Sequence, residues 1–319
     1  MRILFIGTPQ CACPLLERLI GKEQVIGVVT QPDCQRGRGK KILPLPVKVL
    51  AKKREIVTYQ PKDINSFSFI SQMRDKAPDI IVVVAFGKIF SPEFLSIPKI
   101  CVLNVHPSLL PQYRGPAPIP WAIINGEKET GITIHKIEKE IDKGKIILQQ
   151  KLSIDLFDTI KSLETKFSLI GATLLIRAIN MIKDGSVKYI TQDEREATYA
   201  PRIKKEDTRI DWNKSSMEIH NLVRGLNPYY GAFTFVKIRG ERVRMKIWQT
   251  EPVEEDSERD SQSGKIVRIC KGKGFLVKGG EGFILVKEVQ IPNRNSISGY
   301  DFIKGYHIKE GAILGDKGE

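Results

Sequence analysis

The first half of the chain alternates short, strongly apolar runs with segments whose apolar residues recur at helical spacing. Uninterrupted apolar runs rich in β-branched residues fit strands that are covered on both faces of a sheet. Apolar residues that return every three to four positions predict helices. The predicted strands are residues 1–7, 25–29, 79–85 and 100–105, and the predicted helices are residues 12–20, 44–53 and 156–185.

Strands that alternate with helices predict an α/β fold, a Rossmann-like domain built on a parallel, doubly wound sheet. Ligands of such sheets bind beyond the carboxyl ends of the strands. The loops after Ile6, Val29, Ala85 and Val105 should therefore surround one cleft. Gly7 lacks the second and third glycines of a dinucleotide fingerprint, so the sequence predicts no nicotinamide site.

The amino-acid composition of the chain changes after residue 185. Residues 190–205 hold few aliphatic side chains and many charges, which is typical of a linker. A short helix over residues 211–224 and five short β-type runs follow, separated by glycines and a polar stretch. That pattern predicts a small antiparallel, OB-like β-barrel. We therefore expect a first domain over residues 1–189, a linker over 190–205 and a barrel domain over 206–319.

The formal net charge of +14 favours a polyanionic partner. Residues 34–54 contribute eight basic side chains and no acidic one. In the middle of this segment glycine alternates with charge, which predicts an exposed, mobile loop suited to phosphates. A merely solvated charged face is the alternative interpretation of such a run.

No apolar run reaches the roughly 20 residues that a membrane span needs, and the start of the chain reads as a strand rather than a signal peptide. We expect a cytoplasmic protein that uses no membrane. The five cysteines are odd in number and match no zinc-binding spacing, so we predict neither a disulfide nor a metal site.

The segment richest in chemistry follows the strand that ends at residue 105. Asn104 and His106 are two residues apart and point to the same side of an extended chain. Prolines and Gly115 hold the next loop in a fixed shape, which is useful where reacting groups must be placed accurately. Asp142 precedes Gly144, a turn residue before another apolar run, and its carboxylate can face His106 if the two loops meet.

These residues resemble the signature of the folate-dependent formyltransferases. Asn104, His106 and Asp142 match the catalytic trio of that family in type and spacing. The resemblance implies that 10-formyltetrahydrofolate is the formyl donor and that no metal takes part. It implies two folate-binding loops, made of Ala85, Phe86, Gly87 and Ile89 and of Ser108, Leu109, Leu110 and Pro111.

Residues 5–9, 31–50 and 210–228 resemble the branch of the family that formylates methionyl-initiator tRNA. The resemblance implies that the formyl group passes to the α-amino group of the esterified methionine. It also implies that the glycine-basic insertion contacts the acceptor end of the tRNA, with Arg38 entering the helix end. One departure is Cys11, because the family usually has an aromatic residue near this position. The expected tRNA contacts are Arg36, Arg38, Lys40, Lys41, Arg202, Lys204 and Lys205, and the barrel offers Lys237, Arg239, Arg242 and Arg244 as further candidates.

The expected mechanism is acyl transfer through a tetrahedral oxyanion. The amide of Asn104 and a protonated His106 would stabilise that oxygen. Asp142 would hold the imidazolium, raise its pKa and take the proton of the amine, directly or through water. His135, His220 and His307 do not belong to a comparable group of catalytic residue types and are predicted to be structural.

Three alternatives stay open. An amino-sugar nucleotide formyltransferase would use the same chemistry but would not need the basic loop at residues 36–41. A formyl-folate hydrolase would release formate without an amine acceptor. A non-catalytic RNA-binding protein could share the scaffold, although the complete trio argues against it. We expect a monomer.

Overall fold

The computed structural model describes residues 1–33, 35–36, 41–42, 44–254 and 261–315, which form two compact units interleaved along the chain. The first unit contains the described residues of Met1–Pro118 together with Glu129–Ser153 and Glu164–Pro201. The second contains Ile119–Lys128, Ile154–Leu163 and the described residues from Arg202 onward. The expected linker over residues 190–205 is thus divided between the units at Pro201.

The strands of the first unit are β1 (Arg2–Gly7), β2 (Gln24–Val29), β3 (Gln35–Arg36), β4 (Lys41–Ile42), β5 (Thr58–Tyr59), β6 (Ile80–Val84), β7 (Cys101–His106), β8 (Glu129–Lys136) and β9 (Ile146–Ser153). Seven of them form one sheet in the order β5-β2-β1-β6-β7-β8-β9. Pairing is parallel from β5 to β7, which confirms the Rossmann-like prediction for this part.

The pairs β7–β8 and β8–β9 are antiparallel, so the sheet is mostly rather than entirely parallel. Residues 137–145, which join β8 to β9, are too few for the crossover of a dozen or more residues that parallel pairing requires. The pairing of β8 with β7 is a separate antiparallel pairing, and it decides which side chain lies opposite Asn104.

The helices of the described chain are α1 (Cys13–Ile20), α2 (Pro46–Lys53), α3 (Phe67–Asp75), α4 (Pro92–Leu95), α5 (Pro118–Ile124), α6 (Ile160–Lys183), α7 (Ser216–Gly225) and α8 (Gly299–Tyr306). Pro14 lies in the first turn of α1, where its missing N–H costs no hydrogen bond. The helices predicted over residues 12–20, 44–53, 156–185 and 211–224 are observed as α1, α2, α6 and α7 with shifted ends.

Helix α6 is long and apolar enough, by length and composition, to cross a membrane: an 18-residue window has a mean hydropathy of 1.3. Its apolar content has a local explanation, because 44% of that window is buried within the structure. A Cβ at Gly171 would lie 3.4 Å from Val105 on the neighbouring strand and 3.7 Å from Leu15 of α1. The helix therefore packs closely on the sheet through this residue.

The second unit is built on an antiparallel sheet, as predicted. Its strands are β10 (Ala232–Ile238), β11 (Glu241–Val253), β12 (Ile266–Cys270), β13 (Gly274–Lys278), β14 (Phe283–Gln290) and β15 (Ile297–Ser298). The order is β10-β11-β14-β13-β12, and β15 pairs with β14. The larger of two core clusters in this unit includes Trp212, Met245, Phe275 and Phe302. Helix α7 begins at a capping box formed by Ser215 and Glu218.

Residues 154–163 complete the second unit through buried polar contacts with α7. The Nη1 atom of Arg224 donates to the carbonyl oxygens of Asp155 at 2.9 Å and Asp158 at 3.2 Å. The Nε2 atom of His220 lies 2.9 Å from the carbonyl oxygen of Leu156. His220 is 2% exposed, which agrees with its predicted structural role.

Burial raises the pKa of both Cys13 and Cys101 to about 11, so both remain thiols at neutral pH. Buried free cysteines of this kind behave as small apolar side chains. Cys34 lies outside the described residues.

Candidate active site

Asn104 and His106 lie on β7, the strand at which the sheet changes from parallel to antiparallel pairing. Because they are two residues apart, their side chains leave the same side of the strand. The ring of His106 is buried and Asn104 is half-buried. Strand β7 ends at His106, so both residues lie at the carboxyl edge where α/β sheets bind their ligands.

Asp142, in the loop between β8 and β9, meets both of these residues. Its Oδ1 atom lies 3.4 Å from Nδ2 of Asn104, and its Oδ2 atom lies 3.6 Å from Nδ1 of His106. The backbone N–H of Gly115 donates to Oδ2 at 2.9 Å. The structure therefore brings together the three residues predicted from the sequence, along with the glycine of the loop that follows them.

The turn that carries Asp142 has strict backbone requirements. Asp142 has a φ of 54°, a left-handed conformation that aspartate tolerates better than most residues. At Gly144 a Cβ would lie 1.8 Å from the carbonyl oxygen of Lys136, so no larger residue fits. The Asp-x-Gly spacing is thus needed for the turn that presents the carboxylate.

His135 is a fourth member of the site that the sequence interpretation missed. It lies on β8 directly opposite Asn104, and its Nε2 atom is 3.1 Å from Nδ2 of Asn104 and 3.5 Å from Oδ1 of Asp142. Its Nδ1 atom is 2.7 Å from the carbonyl oxygen of Lys136. If Nδ1 donates to that carbonyl, Nε2 is left to accept a hydrogen bond from the Asn104 amide.

The imidazole of His106 has oxygen atoms at both nitrogens. Its Nε2 atom is 3.0 Å from the carbonyl oxygen of Tyr113, and Nδ1 faces Asp142. Burial lowers the pKa of His106 below its ordinary value; Asp142 acts in the opposite direction, and His135 adds to the lowering. The expectation that Asp142 brings this pKa up is therefore outweighed by desolvation of the ring.

Asp142 is ionised throughout the neutral range. Burial raises the pKa of its carboxyl group, but the charge of His106, the contact with His135 and the N–H of Gly115 together lower it to about 2. A carboxylate held in this way can receive a proton only transiently, or pass it on through water.

The loop that follows β7 is fixed by its own hydrogen bonds. The backbone N–H of Leu110 donates to Oγ1 of Thr133 at 3.1 Å, and its carbonyl accepts from Nε2 of Gln149 at 2.8 Å. Ser108 and Leu110 are buried, whereas Leu109 and Pro111 are half-buried. Of the four expected folate contacts in this loop, Leu109 and Pro111 thus have the more accessible side chains.

The second expected folate loop follows β6, the parallel neighbour of β7. Ala85 and Gly87 have φ values of 48° and 72°, which turn the chain sharply at the carboxyl edge of the sheet. Phe86 is buried and stacks on Phe90 with 6.1 Å between ring centroids. Ile89, by contrast, is 69% exposed. This loop therefore presents Ala85, Gly87 and Ile89 on the same edge as the Asn104 site.

The expected tRNA contacts fall in both units. Arg36 lies on β3 and Lys41 on β4, and the two residues pair across a short antiparallel ladder. Arg38 and Lys40 lie outside the described residues. Arg202, Lys204 and Lys205 open the second unit and are exposed.

His106, His135 and Asp142 also form a group of the residue types that bind transition metals, with ligand atoms within 4.8 Å of one another. The two oxygens of Asp142 already accept from Asn104 and Gly115, and each imidazole nitrogen has a polar neighbour in the protein. These contacts account for the cluster as a hydrogen-bonded network, and metal independence stays a prediction.

An amide, two imidazoles and an ionised carboxylate at the edge of a Rossmann-like sheet suit acyl transfer to an amine. The chain belongs to the formyl transferase family: residues 1–179 match the formyl transferase family and residues 202–307 its C-terminal domain. Curated relatives from Ruminiclostridium cellulolyticum and Clostridioides difficile, both named methionyl-tRNA formyltransferase, are each 42% identical over 316 residues. These alignments cover 99% of this chain and 100% of each relative.

Solved structures share the fold. The N-formyltransferase from Helicobacter canadensis, in complex with folinic acid and dTDP-3-aminofucose, has a TM-score of 0.66 and 23% identity over 89% of this chain and 98% of its own. A sugar 3N-formyl transferase, solved with dTDP and 5-N-formyl-THF, has a TM-score of 0.66 and 24% identity over 92% of this chain and 99% of its own. At this identity the likeness concerns the fold alone.

Proposed function

We propose that this chain transfers the formyl group of 10-formyltetrahydrofolate to the α-amino group of methionyl-initiator tRNA. The observation that carries the proposal is the convergence of Asn104, His106 and Asp142 at the carboxyl edge of the sheet. The choice of acceptor is supported by the full-length relatives named methionyl-tRNA formyltransferase.

In this reaction the amine nitrogen attacks the formyl carbon, and the carbonyl oxygen becomes an oxyanion. Collapse of the tetrahedral intermediate breaks the bond between the formyl carbon and N10 of the folate. The proton released by the amine ends on N10, so the products are the formylated amine and tetrahydrofolate. The protein has to stabilise one negative oxygen and move one proton.

Asn104 and His106 are the groups suited to stabilise the oxyanion, each by about 3 kcal/mol. Their contacts with Asp142, at 3.4 Å and 3.6 Å, are longer than ordinary hydrogen bonds. Such contacts often tighten only when substrate is bound. The developing oxyanion can therefore recruit these donors at little cost in lost protein contacts.

Asp142 has two functions in the proposed mechanism. Its negative charge favours the imidazolium form of His106, which burial disfavours. It also accepts the proton of the attacking amine through an intervening water. Because its pKa is about 2, it holds that proton only briefly and can return it to N10 of the folate.

The second unit offers a surface suited to a polynucleotide. We call it the cation–aromatic face: the outward side chains of β10 and β11, whose opposite sides carry Met245 and other core residues. The Cζ atom of Arg242 lies 3.7 Å from the ring centroid of Phe235, and that of Arg244 lies 3.8 Å from the ring centroid of Phe233. The cation–aromatic face comprises Phe233, Phe235, Lys237, Arg242, Arg244, Lys246 and Trp248.

Two properties of this face favour an RNA partner. Guanidinium groups that stack on rings keep their N–H edges available for phosphate oxygens. Among the buried side-chain nitrogen and oxygen atoms of the described residues, Nε of Arg244 is the one without a hydrogen-bond partner in the protein. We propose that the cation–aromatic face, the basic insertion and the strip at Arg202, Lys204 and Lys205 contact the tRNA backbone.

The decisive experiment is incubation with labelled formyl-folate and four acceptors: methionyl-initiator tRNA, free methionine, an amino-sugar nucleotide and water. We expect label on the charged tRNA, with tetrahydrofolate released in equal amount. Label on the amino-sugar nucleotide would support the first alternative, and formate release without an acceptor would support a hydrolase. Either result without formylated tRNA overturns the proposal.

A further inference from the structure

The backbone of the Asp142 turn is hydrogen-bonded to the side chain of Gln192. The Nε2 atom of Gln192 donates to the carbonyl oxygen of Asp142 at 2.8 Å and to the carbonyl oxygen of Gly144 at 2.8 Å. One amide group thus uses both its hydrogens on two carbonyls of the same turn. That turn contains the left-handed residue whose side chain is the carboxylate of the site.

The orientation of the Gln192 amide is determined by Arg114. The Oε1 atom of Gln192 accepts from Nε of Arg114 at 3.1 Å and from Nη2 at 2.8 Å. A flipped amide would place its NH₂ group against the guanidinium, with two carbonyls facing its oxygen. Gln192 is 7% exposed, so water offers little compensation for either mismatch.

The side chain of Arg114 is itself buried and paired with Glu194. It is 1% exposed, and its Nη1 and Nη2 atoms donate to the two carboxylate oxygens of Glu194 at 3.0 Å and 2.9 Å. Lys143, the neighbour of Asp142, also pairs with Glu194, at 3.3 Å. Two-point pairing between an arginine and a carboxylate has a defined geometry as well as favourable energy.

The backbone next to Arg114 also contacts the carboxylate of Asp142. The N–H of Arg114 donates to the carbonyl of Thr198, and its own carbonyl accepts from the N–H of Ala200. The next residue, Gly115, donates to Oδ2 of Asp142 at 2.9 Å. One segment, residues 192–200, therefore fixes both the turn behind Asp142 and the N–H in front of it.

We propose that Gln192 and Arg114 are positioning residues for Asp142, setting where its carboxylate lies relative to Asn104 and His106. The inference rests on the proposed function, because it assigns a purpose to the placement of that carboxylate. The contacts in the structure connect these two residues with the Asp142 turn and with Glu194. They act on the reaction through the turn and through Gly115.

Two substitutions of Gln192 separate the contacts. Gln192→Met loses every hydrogen bond of the amide, whereas Gln192→Glu keeps an acceptor for Arg114 but loses both donors to the turn. We expect each to lower kcat by about 10- to 100-fold, because a displacement of about 1 Å in a reacting group can have that effect. KM for the folate and for charged tRNA should stay within about twofold.

The matched control is Asn221→Leu in the second unit. Asn221 is 5% exposed and its Oδ1 atom accepts from Nε of the buried Arg224 at 2.9 Å. This change also removes a carboxamide acceptor from a buried arginine, but it has no connection with Asp142. Its kcat should equal that of the unaltered chain even though its thermal stability falls.

The second measurement is the titration of His106, followed by NMR of its ring signals in the free protein. The groups that face this ring are the carboxylate of Asp142, the carbonyl of Tyr113 and His135, whose ring centroid is 6.2 Å away. A displaced carboxylate stabilises the imidazolium less, so the pKa of His106 should fall in both Gln192 variants. This readout needs no substrate and tests the inference even if the acceptor proves to be another amine.

Unchanged kcat and unchanged titration of His106 in the Gln192 variants would overturn the inference while leaving the proposed function intact. Failure of both Gln192 variants to fold, with Asn221→Leu folded, would also overturn it, since Gln192 would then serve the whole unit rather than one turn. Loss of kcat together with the lowered pKa supports it.

Discussion

Asn104 and His135 face each other across the antiparallel pair of β7 and β8, with Nδ2 of the amide 3.1 Å from Nε2 of the imidazole. This contact gives the amide of Asn104 a fixed direction. It also explains why His135, which is buried and does not belong to the predicted trio, lies within the site.

We expect His135→Phe to lower kcat by about tenfold or more, because an oxyanion donor that loses its orientation loses much of its contribution. KM for the folate should change little. The control is His220→Phe, a change at another buried histidine, which lies in the second unit. Steady-state kinetics of both variants test this, and equal effects on kcat would remove His135 from the mechanism.

His106→Ala should reduce kcat by at least about 100-fold, the effect expected when one oxyanion-stabilising group is removed. Binding of the folate, measured by equilibrium titration, should persist because the backbone of the two folate loops is unaltered. Turnover close to that of the unaltered chain would contradict the role given to this ring.

The free energy of unfolding should rise with pH on the acid side of about 6.5, the ordinary pKa of a histidine. The pKa of His106 is lowered in the folded chain, whereas the unfolded chain has a pKa near 6.5. Between these two values the unfolded chain binds one more proton, so the free energy of unfolding increases with pH, by up to about 1.4 kcal/mol per pH unit.

Denaturant unfolding at several pH values measures this slope, and His106→Asn should flatten it. Burial also lowers the pKa of His220, so the slope that remains should fall further in a His106→Asn, His220→Asn double variant. A slope of the same size in all three proteins would show that neither ring is the source.

Arg242→Ala combined with Arg244→Ala should raise KM for charged tRNA by about tenfold, with kcat and the folate KM unchanged. Each lost phosphate contact should also reduce the dependence of log affinity on log salt by about one. Arg195→Ala is the control, because this arginine is exposed and pairs with Asp193 in the first unit. An unaltered salt dependence in the double variant would restrict the cation–aromatic face to a packing role.

Treatment with a strong chelator, followed by its removal, should leave kcat unchanged. Each candidate ligand atom of His106, His135 and Asp142 already has a polar neighbour in the protein. Activity that disappears on chelation and returns with Zn²⁺ would instead assign a cation to this group.

The sequence predicted the site best where a motif follows a buried strand. Asn104 and His106 lie at the carboxyl end of such a strand, and the turn glycine after Asp142 marks where the third group lies. His135 was missed because local patterns do not show that an antiparallel strand, β8, places it opposite Asn104. The direction of β8 relative to β7 is set by the tertiary path of residues 107–128, which local patterns do not reveal.

Gln192 was not identified for a different reason. It lies in a charged, aliphatic-poor stretch that is typical of a linker, yet residues 192–200 pair with the loop around Arg114. Its importance depends on two contacts with residues about 50 and 78 positions away in the chain. Composition describes how a segment interacts with water, but it does not show which backbone carbonyls need a donor.

The contributions of residues 154–163 to the second unit limit how the chain can be divided. A fragment beginning at residue 206 would leave the buried side chains of His220 and Arg224 without the carbonyl acceptors of Leu156, Asp155 and Asp158. Each buried donor left in this way costs about 1–3 kcal/mol. The C-terminal part is therefore expected to be poorly stable when expressed alone, so RNA affinity should be measured on the intact polypeptide.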